Sequence, residues 1–352
     1  VTFPFSARWG EVSAVAAYQR LFPQAFQPRP GIDPRLRVTG NAGDGPRAYK
    51  PSPEAIRRLR LGVDWCYAPV KIPGDWYGRP EYWDRYNENV TDAKRLERYG
   101  TLDQWHASLR ESFERMETSY GVAPYFYVIN WAYHRMAQER FPEALITDPK
   151  SQNSIPNWVT NKGPDVRLFT LGNRAGEALH QDIAELWKSY TLSGFGYDVA
   201  MCGPKYRGES VAKCPGRAWD DEGVYCDQSV AIARNGDFVR ALPPKRFAPA
   251  FWTNGGQHVY SIAARSDAAA FEGSKYALAG WEQGARYARY VIGSKGAQIF
   301  GGDQRDHTTD FYDPASTSPE EIRRMYLRVG RGALAVCFRW GFPPTTDSGA
   351  GY

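Results

Sequence analysis

Apolar and polar residues along the chain alternate between two rhythms. Short apolar, aromatic-rich runs are separated by longer stretches in which apolar residues recur with helical spacing. Eight runs read as strands: residues 2–7, 61–67, 123–129, 223–226, 248–253, 268–271, 297–300 and 333–338. Helical patterns lie between them, clearest at 102–120, 176–190, 274–292 and 319–330. Two helix starts carry capping signals. Thr101-Leu-Asp-Gln104 has the form of a capping box. Ser318-Pro319-Glu320-Glu321 joins a Ser cap to Pro at the first helical position and acids in the first turn. Strands alternating with helices predict βα units on a parallel sheet. Eight such units without a Gly-rich dinucleotide fingerprint predict closure, an α/β chain folded as a (β/α)8 TIM barrel with long βα loops. All 352 residues are read as one barrel domain, with loop insertions at about 75–100, 131–172 and 194–220.

In such a barrel the chemistry sits at the C-terminal ends of the strands. Asp64 and Trp65 lie in the second run, and Asn130 and Trp131 follow the third. Asp227 closes the fourth, Trp252 and Asn254 the fifth, and Glu272 the sixth. Asp303 follows the seventh, and Arg339 and Trp340 follow the eighth. A carboxylate at the end of a buried parallel strand is costly unless something employs it. The alternative for Asp227 is an Asp that caps the following turn or pairs with an Arg. The alternative for Glu272 is an acid favoured by the positive end of the next helix. Taken together, Asp227 and Glu272 supply the two carboxylates that glycosidic cleavage needs, one as nucleophile or base and one as acid. Asp303, Asp64 and Asp267 are reserves for the Glu272 role.

The run Gly223-Val-Tyr-Cys-Asp227-Gln-Ser resembles the strand-four nucleophile motif of retaining α-glycosidase barrels, a superfamily that includes α-galactosidase-like, α-fucosidase-like and endo-α-N-acetylgalactosaminidase-like enzymes. The resemblance implies that Asp227 is the nucleophile. It also implies that the acid/base lies near strand six, where Asp267 to Glu272 is similar. The implied activity is that of a retaining glycoside hydrolase on an α-configured linkage in an oligo- or polysaccharide. Trp65, Trp131, Trp252 and Trp340 would line the sugar subsites, with Asp64, Asn130, Asn254, Asp303 and Arg339. The β-sandwich domain common in those enzymes is not visible. The final PPTTDSGAGY reads as a loop, so the chain is read as a mature or excised portion of something longer.

Composition sharpens this reading in three places. Twelve Trp and 22 Tyr are many, and Trp76, Tyr77, Tyr82, Trp83, Tyr86, Trp158 and Trp219 fall in loops. Flat aromatic faces can stack on sugar rings or build small loop cores. The net charge of +5 is spread along the chain without a basic run, which argues against a nucleic-acid partner. No apolar run is long enough to span a membrane. Among the five cysteines, Cys66, Cys226 and Cys337 read as buried thiols, and Cys202 and Cys214 as a bonded pair across a turn-rich loop. That bond would place the protein outside the cell or in its envelope. No cofactor is expected, and the scattered histidines show no paired metal spacing. Two rival readings remain: a non-catalytic carbohydrate-binding barrel, and a metal-assisted barrel hydrolase using Asp227, Asp303 and His307.

Overall fold

The structure, a computed structural model, describes residues 8, 10–37, 40–43, 63–66, 101–128, 131–133, 140–146, 165–197, 207, 211–212, 214, 216–255, 259–272, 286, 289–300, 318–321, 324, 339 and 344–347. Its strands in chain order are β1 (Gly40–Gly43), β2 (Val63–Cys66), β3 (Ala123–Val128), β4 (Trp131–Tyr133), β5 (Leu145–Ile146), β6 (Asp165–Leu168) and β7 (Gly194–Tyr197). They continue as β8 (Arg217–Asp220), β9 (Gly223–Cys226), β10 (Ala250–Asn254), β11 (Ala268–Glu272), β12 (Gly296–Phe300) and β13 (Pro344–Asp347). The helices used below are α1 (Glu11–Leu21), α2 (Pro23–Phe26), α3 (Leu102–Arg115), α4 (Arg174–Ser189), α5 (Ser229–Ala241) and α6 (Tyr260–Ala263).

Eight strands, β1, β2, β3, β7, β10, β11, β12 and β13, pair in chain order, and β13 closes back on β1. Every pairing in this ring is parallel. Strand alternation divides the ring into two faces. Ala123 and Tyr125 of β3, Ala250 and Trp252 of β10, and Ala268 of β11 form one buried cluster with Leu36. The intervening Phe126, Val128, Phe195, Tyr197 and Phe251 belong to a second, larger cluster. There they meet Leu109 and Phe113 of α3, Leu179, Ile183, Leu186 and Trp187 of α4, and Ile232 and Val239 of α5. Each large apolar side chain so buried contributes about 1.5–3 kcal/mol, and this packing holds the helices outside the sheet.

The expected strand at 223–226 exists but is not part of the ring. β9 pairs antiparallel with β8 as a separate hairpin. The fourth ring strand is instead β7, inside the stretch expected to be a loop insertion. Its Gly-Phe-Gly-Tyr sequence explains both the misreading and the fit. Gly194 pairs with Tyr125 and Ala250, and Gly196 with Trp252. A Cβ at Gly194 would lie 2.1 Å from the Ala250 carbonyl oxygen and 2.8 Å from Cε1 of Tyr125. Glycine at this interior position gives the bulky rings of the neighbouring strands their room. The expected first and last strands, 2–7 and 333–338, lie outside the described residues, and the ring begins and ends on β1 and β13 instead. The PTTD segment expected as loop is therefore a strand, with its Pro at the first position, where no ladder donor is required.

Helix prediction fared better. α3 starts at the Thr101 capping box, in which Gln104 N donates to Thr101 Oγ1 at 3.3 Å and Thr101 N donates to Gln104 Oε1 at 2.8 Å. Ser318 and Glu321 form the same reciprocal pair, with Glu321 N donating to Ser318 Oγ at 3.3 Å and Ser318 N to Glu321 Oε2 at 3.0 Å. Most of the expected helices 274–292 and 319–330 lie outside the described residues. α1 and α5 are additional to the expected set.

Candidate functional site at the C-terminal rim

The two ends of the ring differ in kind. At the N-terminal ends of the strands, buried charges are matched within the protein. Asp33, fully buried, accepts from Arg35 Nη2 at 2.6 Å and from Ser193 Oγ at 3.0 Å. Asp267, one residue before β11, accepts from Arg29 Nε and Nη2, both at 3.0 Å, and from Phe251 N at 3.0 Å. Asp267 is thereby a structural group, not a reserve acid at the rim. Lys295, one residue before β12, donates to the carbonyls of Ala263 and Ser266, each at 2.7 Å. Burial pushes its ammonium down to about 8. These groups fix the closed end of the fold, the face that in parallel barrels serves stability.

At the opposite end, register identifies which strand-terminal positions share a set. Glu272 is the last residue of β11 and pairs with Phe300, two steps beyond the Ala270–Gln298 pair and four beyond Ala268–Gly296. It therefore falls in the same alternating set as Ala268, which faces the ring interior. Asn254 ends β10 in that set, pairs with Ala270 and is half-buried. Asp347 ends β13, pairs with Ala42 and belongs to the same set through the Ala42–Trp65 and Trp65–Tyr125 pairs. Sequence reading missed Asp347 because its strand carries no apolar run. Trp65 shares the interior set, whereas Asp64 pairs with Asn41 and Pro124 in the other one.

Other expected site residues are distributed differently. Trp252 is fully buried against Tyr125, ring centroids 5.9 Å apart and nearly perpendicular. It fills the ring interior and presents no face to a sugar, correcting its expected role as a subsite wall; interiors of small closed sheets are occupied by side chains. Trp131 opens β4, which pairs with β6 in a small antiparallel sheet completed by β5. Arg339 is exposed. Asn130, Asp303, Trp340 and the rival metal ligand His307 lie outside the described residues. Among the described residues no group of three or more His, Cys, Asp or Glu is placed to hold a metal ion, and no helix is long and apolar enough to cross a membrane.

Asp227 follows β9, not a ring strand. Its Oδ1 accepts from Ser229 N at 2.9 Å, and its backbone N donates to Gly216 O at 2.7 Å. The carboxylate thus caps the turn into α5, the alternative the sequence had left open. Next to it, Cys226 is bonded to Cys214, with Cα atoms 5.5 Å apart. The expected partner of Cys214 was Cys202, which lies outside the described residues. The β8–β9 hairpin explains the correction, because pairing Arg217 with Cys226 brings residue 214 alongside residue 226. Cys226 is accordingly not a free thiol.

The hairpin belongs to the connection from β7 to α5, and β4, β5 and β6 belong to the connection from β3 to α4. Both connections leave C-terminal strand ends, and they share a small core of Ile146, Phe169, Cys214, Cys226 and Ala231, with Leu171 packed against it.

No family model matches the chain, and no curated protein matches it. Similarity emerges only in three dimensions. A xylosidase from Aspergillus niger superposes with a TM-score of 0.52 at 11% identity, over 91% of this chain and 44% of that one. A GH31 alpha-xylosidase from Xanthomonas citri gives a TM-score of 0.53 at 9% identity, over 95% of this chain and 34% of that one. A GH36 alpha-galactosidase from Geobacillus stearothermophilus gives 0.47 at 13% identity, over 93% of this chain and 46% of that one. The chain thus spans less than half the length of these structures. At such identities the likeness is one of fold: the chain combines helices with a parallel sheet in the manner of TIM-barrel-type glycoside hydrolases.

Proposed function

We propose that this chain is the (β/α)8-barrel catalytic portion of a retaining glycoside hydrolase acting on α-configured linkages, with its carboxylates drawn from the interior set at the C-terminal rim. The observation that carries the reading is the position of Glu272, an acid that terminates a ring strand in the interior-facing set, beside Asn254 on the next strand. The Aspergillus niger xylosidase and the Xanthomonas citri alpha-xylosidase, whose fold the chain shares, support the class. The nucleophile role moves with the strand assignment. Asp198 is the carboxylate that follows Tyr197, the last residue of β7, directly in the chain, and it takes that role in this proposal. Asp198 then attacks the anomeric carbon as the bond to the leaving oxygen breaks. Glu272 gives that oxygen its proton, and afterwards takes a proton from the water that displaces Asp198. Asp347 is the reserve for the acid/base role. The Cys214–Cys226 bond supports work in an oxidising setting, outside the cell or in its envelope.

The test is turnover of a panel of aryl α-glycosides by Asp198→Asn, Asp227→Asn, Glu272→Ala and Asp347→Asn. Asp198→Asn should be inactive and folded. Glu272→Ala should hydrolyse activated aryl glycosides slowly and be rescued by azide, giving a glycosyl azide of retained configuration. Asp227→Asn should keep most activity, since its carboxylate caps a turn. Inactivity of Asp227→Asn beside an active Asp198→Asn would return the nucleophile role to Asp227. Full activity of both Asp198→Asn and Glu272→Ala would overturn the proposal.

A further inference from the structure

The β8–β9 hairpin carries an exposed apolar face that nothing in the proposed chemistry uses. Trp219 is 78% exposed and Val224 46%. The two are cross-strand partners, so they lie side by side on one face. Arg217, also exposed, is two residues from Trp219 and belongs to the same face, about 7 Å along the strand. Its Nε donates to Cys214 O at 3.3 Å, which ties the arm to the hairpin base.

The opposite face is locked. Arg207 Nη2 donates to both carboxylate oxygens of Asp220 at 2.7 Å, and its Nη1 donates to Gly223 O at 2.8 Å. The Arg207 guanidinium also lies 5.5 Å from the centroid of Tyr225. The disulfide clamps the base. An indole held at the tip of a clamped hairpin loses little conformational freedom when a ligand stacks on it, so little of the contact energy is lost to ordering.

We propose that Trp219, with Val224 beside it and Arg217 at its edge, is a stacking platform for one sugar ring of a glycan chain, away from the bond being cleaved. The inference rests on the glycoside-hydrolase reading and extends it from the cleavage point to the chain beyond. Three features select this occupant. The apolar face is one indole and one isopropyl group, the footprint of a sugar ring and far below the roughly 800 Å² per partner of a stable protein interface. A cationic donor stands at its edge, where ring hydroxyls would project. The hairpin belongs to the connection that leaves the C-terminal end of the fourth ring strand, as Glu272 and Asn254 end theirs, and it shares a core with the connection that follows the third. Substrate that reaches it must be longer than a monosaccharide glycoside.

The test is native-gel retention of the protein in pullulan, galactomannan and xyloglucan, comparing wild type with Trp219→Ala and Trp219→Phe. Wild type should be retained by at least one of the three. Trp219→Ala should weaken that retention about tenfold and Trp219→Phe far less, since stacking needs a flat apolar ring. Because Trp219 is exposed, both variants should melt within about 1 °C of wild type. Retention unchanged in Trp219→Ala, or absent in wild type for all three glycans, overturns the proposal. So does a concentration-dependent dimer in sedimentation velocity that Trp219→Ala disperses, because it would assign the face to a second copy of the chain. Retention needs no turnover, so a protein that binds through Trp219 but hydrolyses nothing would defeat the enzyme reading and leave the platform standing.

Discussion

The placement of β7 in the ring makes Gly194 the position least able to accept a side chain. Replacing it with alanine adds one methyl group. That carbon would sit 2.1 Å from the Ala250 carbonyl oxygen, 2.8 Å from the Ala250 carbonyl carbon and 2.8 Å from Cε1 of Tyr125. Two of these neighbours are backbone atoms of β10, paired with β7 through four residues, and the third belongs to a fully buried ring packed against Trp252. None can turn away as an exposed side chain would, so the sheet must open locally. Overpacking of this kind costs about 1–3 kcal/mol, and displaced backbone argues for the upper end, about 3 kcal/mol. With about 2.1 cal/mol/K of unfolding entropy per residue over 352 residues, that is a fall in Tm of about 4 °C. Gly121→Ala is the control. Gly121 has φ 68° with nothing within 4 Å of the added carbon, so only the left-handed backbone is strained, at about 1 kcal/mol. Differential scanning fluorimetry of both variants decides the matter. If Gly194→Ala melts with wild type or above Gly121→Ala, residues 194–197 are not packed between β3 and β10, and the fourth-strand assignment fails with the role given to Asp198.

Two further outcomes follow from groups away from the rim. Lys295 is held at about 8 by burial, below its ordinary 10.5, so between about pH 8 and 10.5 the unfolded chain binds more protons than the folded one and stability rises with pH; the unfolding free energy from urea melts should climb by up to about 3 kcal/mol across that window, and Lys295→Met should flatten the climb. The Cys214–Cys226 bond closes a loop of sequence separation 12, worth about 3 kcal/mol in chain entropy; Cys226→Ser should therefore lower the urea midpoint, and mass spectrometry after alkylation without reductant should find Cys214 and Cys226 unlabelled in wild type, whereas labelling of both in the folded protein would refute the pairing.

What the sequence revealed depended on whether a strand needs large side chains. β2, β3, β10, β11 and β12 carry apolar residues on both faces, and all lie within two residues of expectation at each end. β1, β7 and β13 read GNAG, GFGY and PTTD. At β7 the neighbours fill the interior, with Tyr125 and Trp252 opposite Gly194 and Gly196, so glycines suffice there; in β1 and β13 small or polar residues likewise leave no apolar run to be read. The hairpin strand Gly223–Cys226 had the apolar look of a ring strand, but it serves the small loop core around Cys226. The site followed the strands. Glu272 and Asn254 end β11 and β10, whose apolar runs made their strand-terminal positions legible. Asp347 was not legible, and Asp227 follows a hairpin strand, not the ring strand expected of it.

The same contrast explains how this chain can combine a rigid base with an adaptable rim. Below, Asp33, Asp267 and Lys295 have their partners inside the protein, and a buried charge deprived of its partner is heavily destabilising, so these positions tolerate little change. Above, the strand ends carry Glu272, Asn254 and Asp347 at register-fixed positions, while β4–β6 and the β8–β9 hairpin are separate small sheets with their own core and their own covalent clamp. A hairpin stapled by a disulfide and held by Arg207 can change the residues on its free face without disturbing the ring. Trp219 and Arg217 are on that face. Reaction type would then follow from the ring positions, which register fixes, and glycan preference from the hairpin face, which it does not. Substitutions at Trp219 and Arg217 should accordingly change which glycans are held, whereas substitutions at Glu272 should change whether any bond is cut.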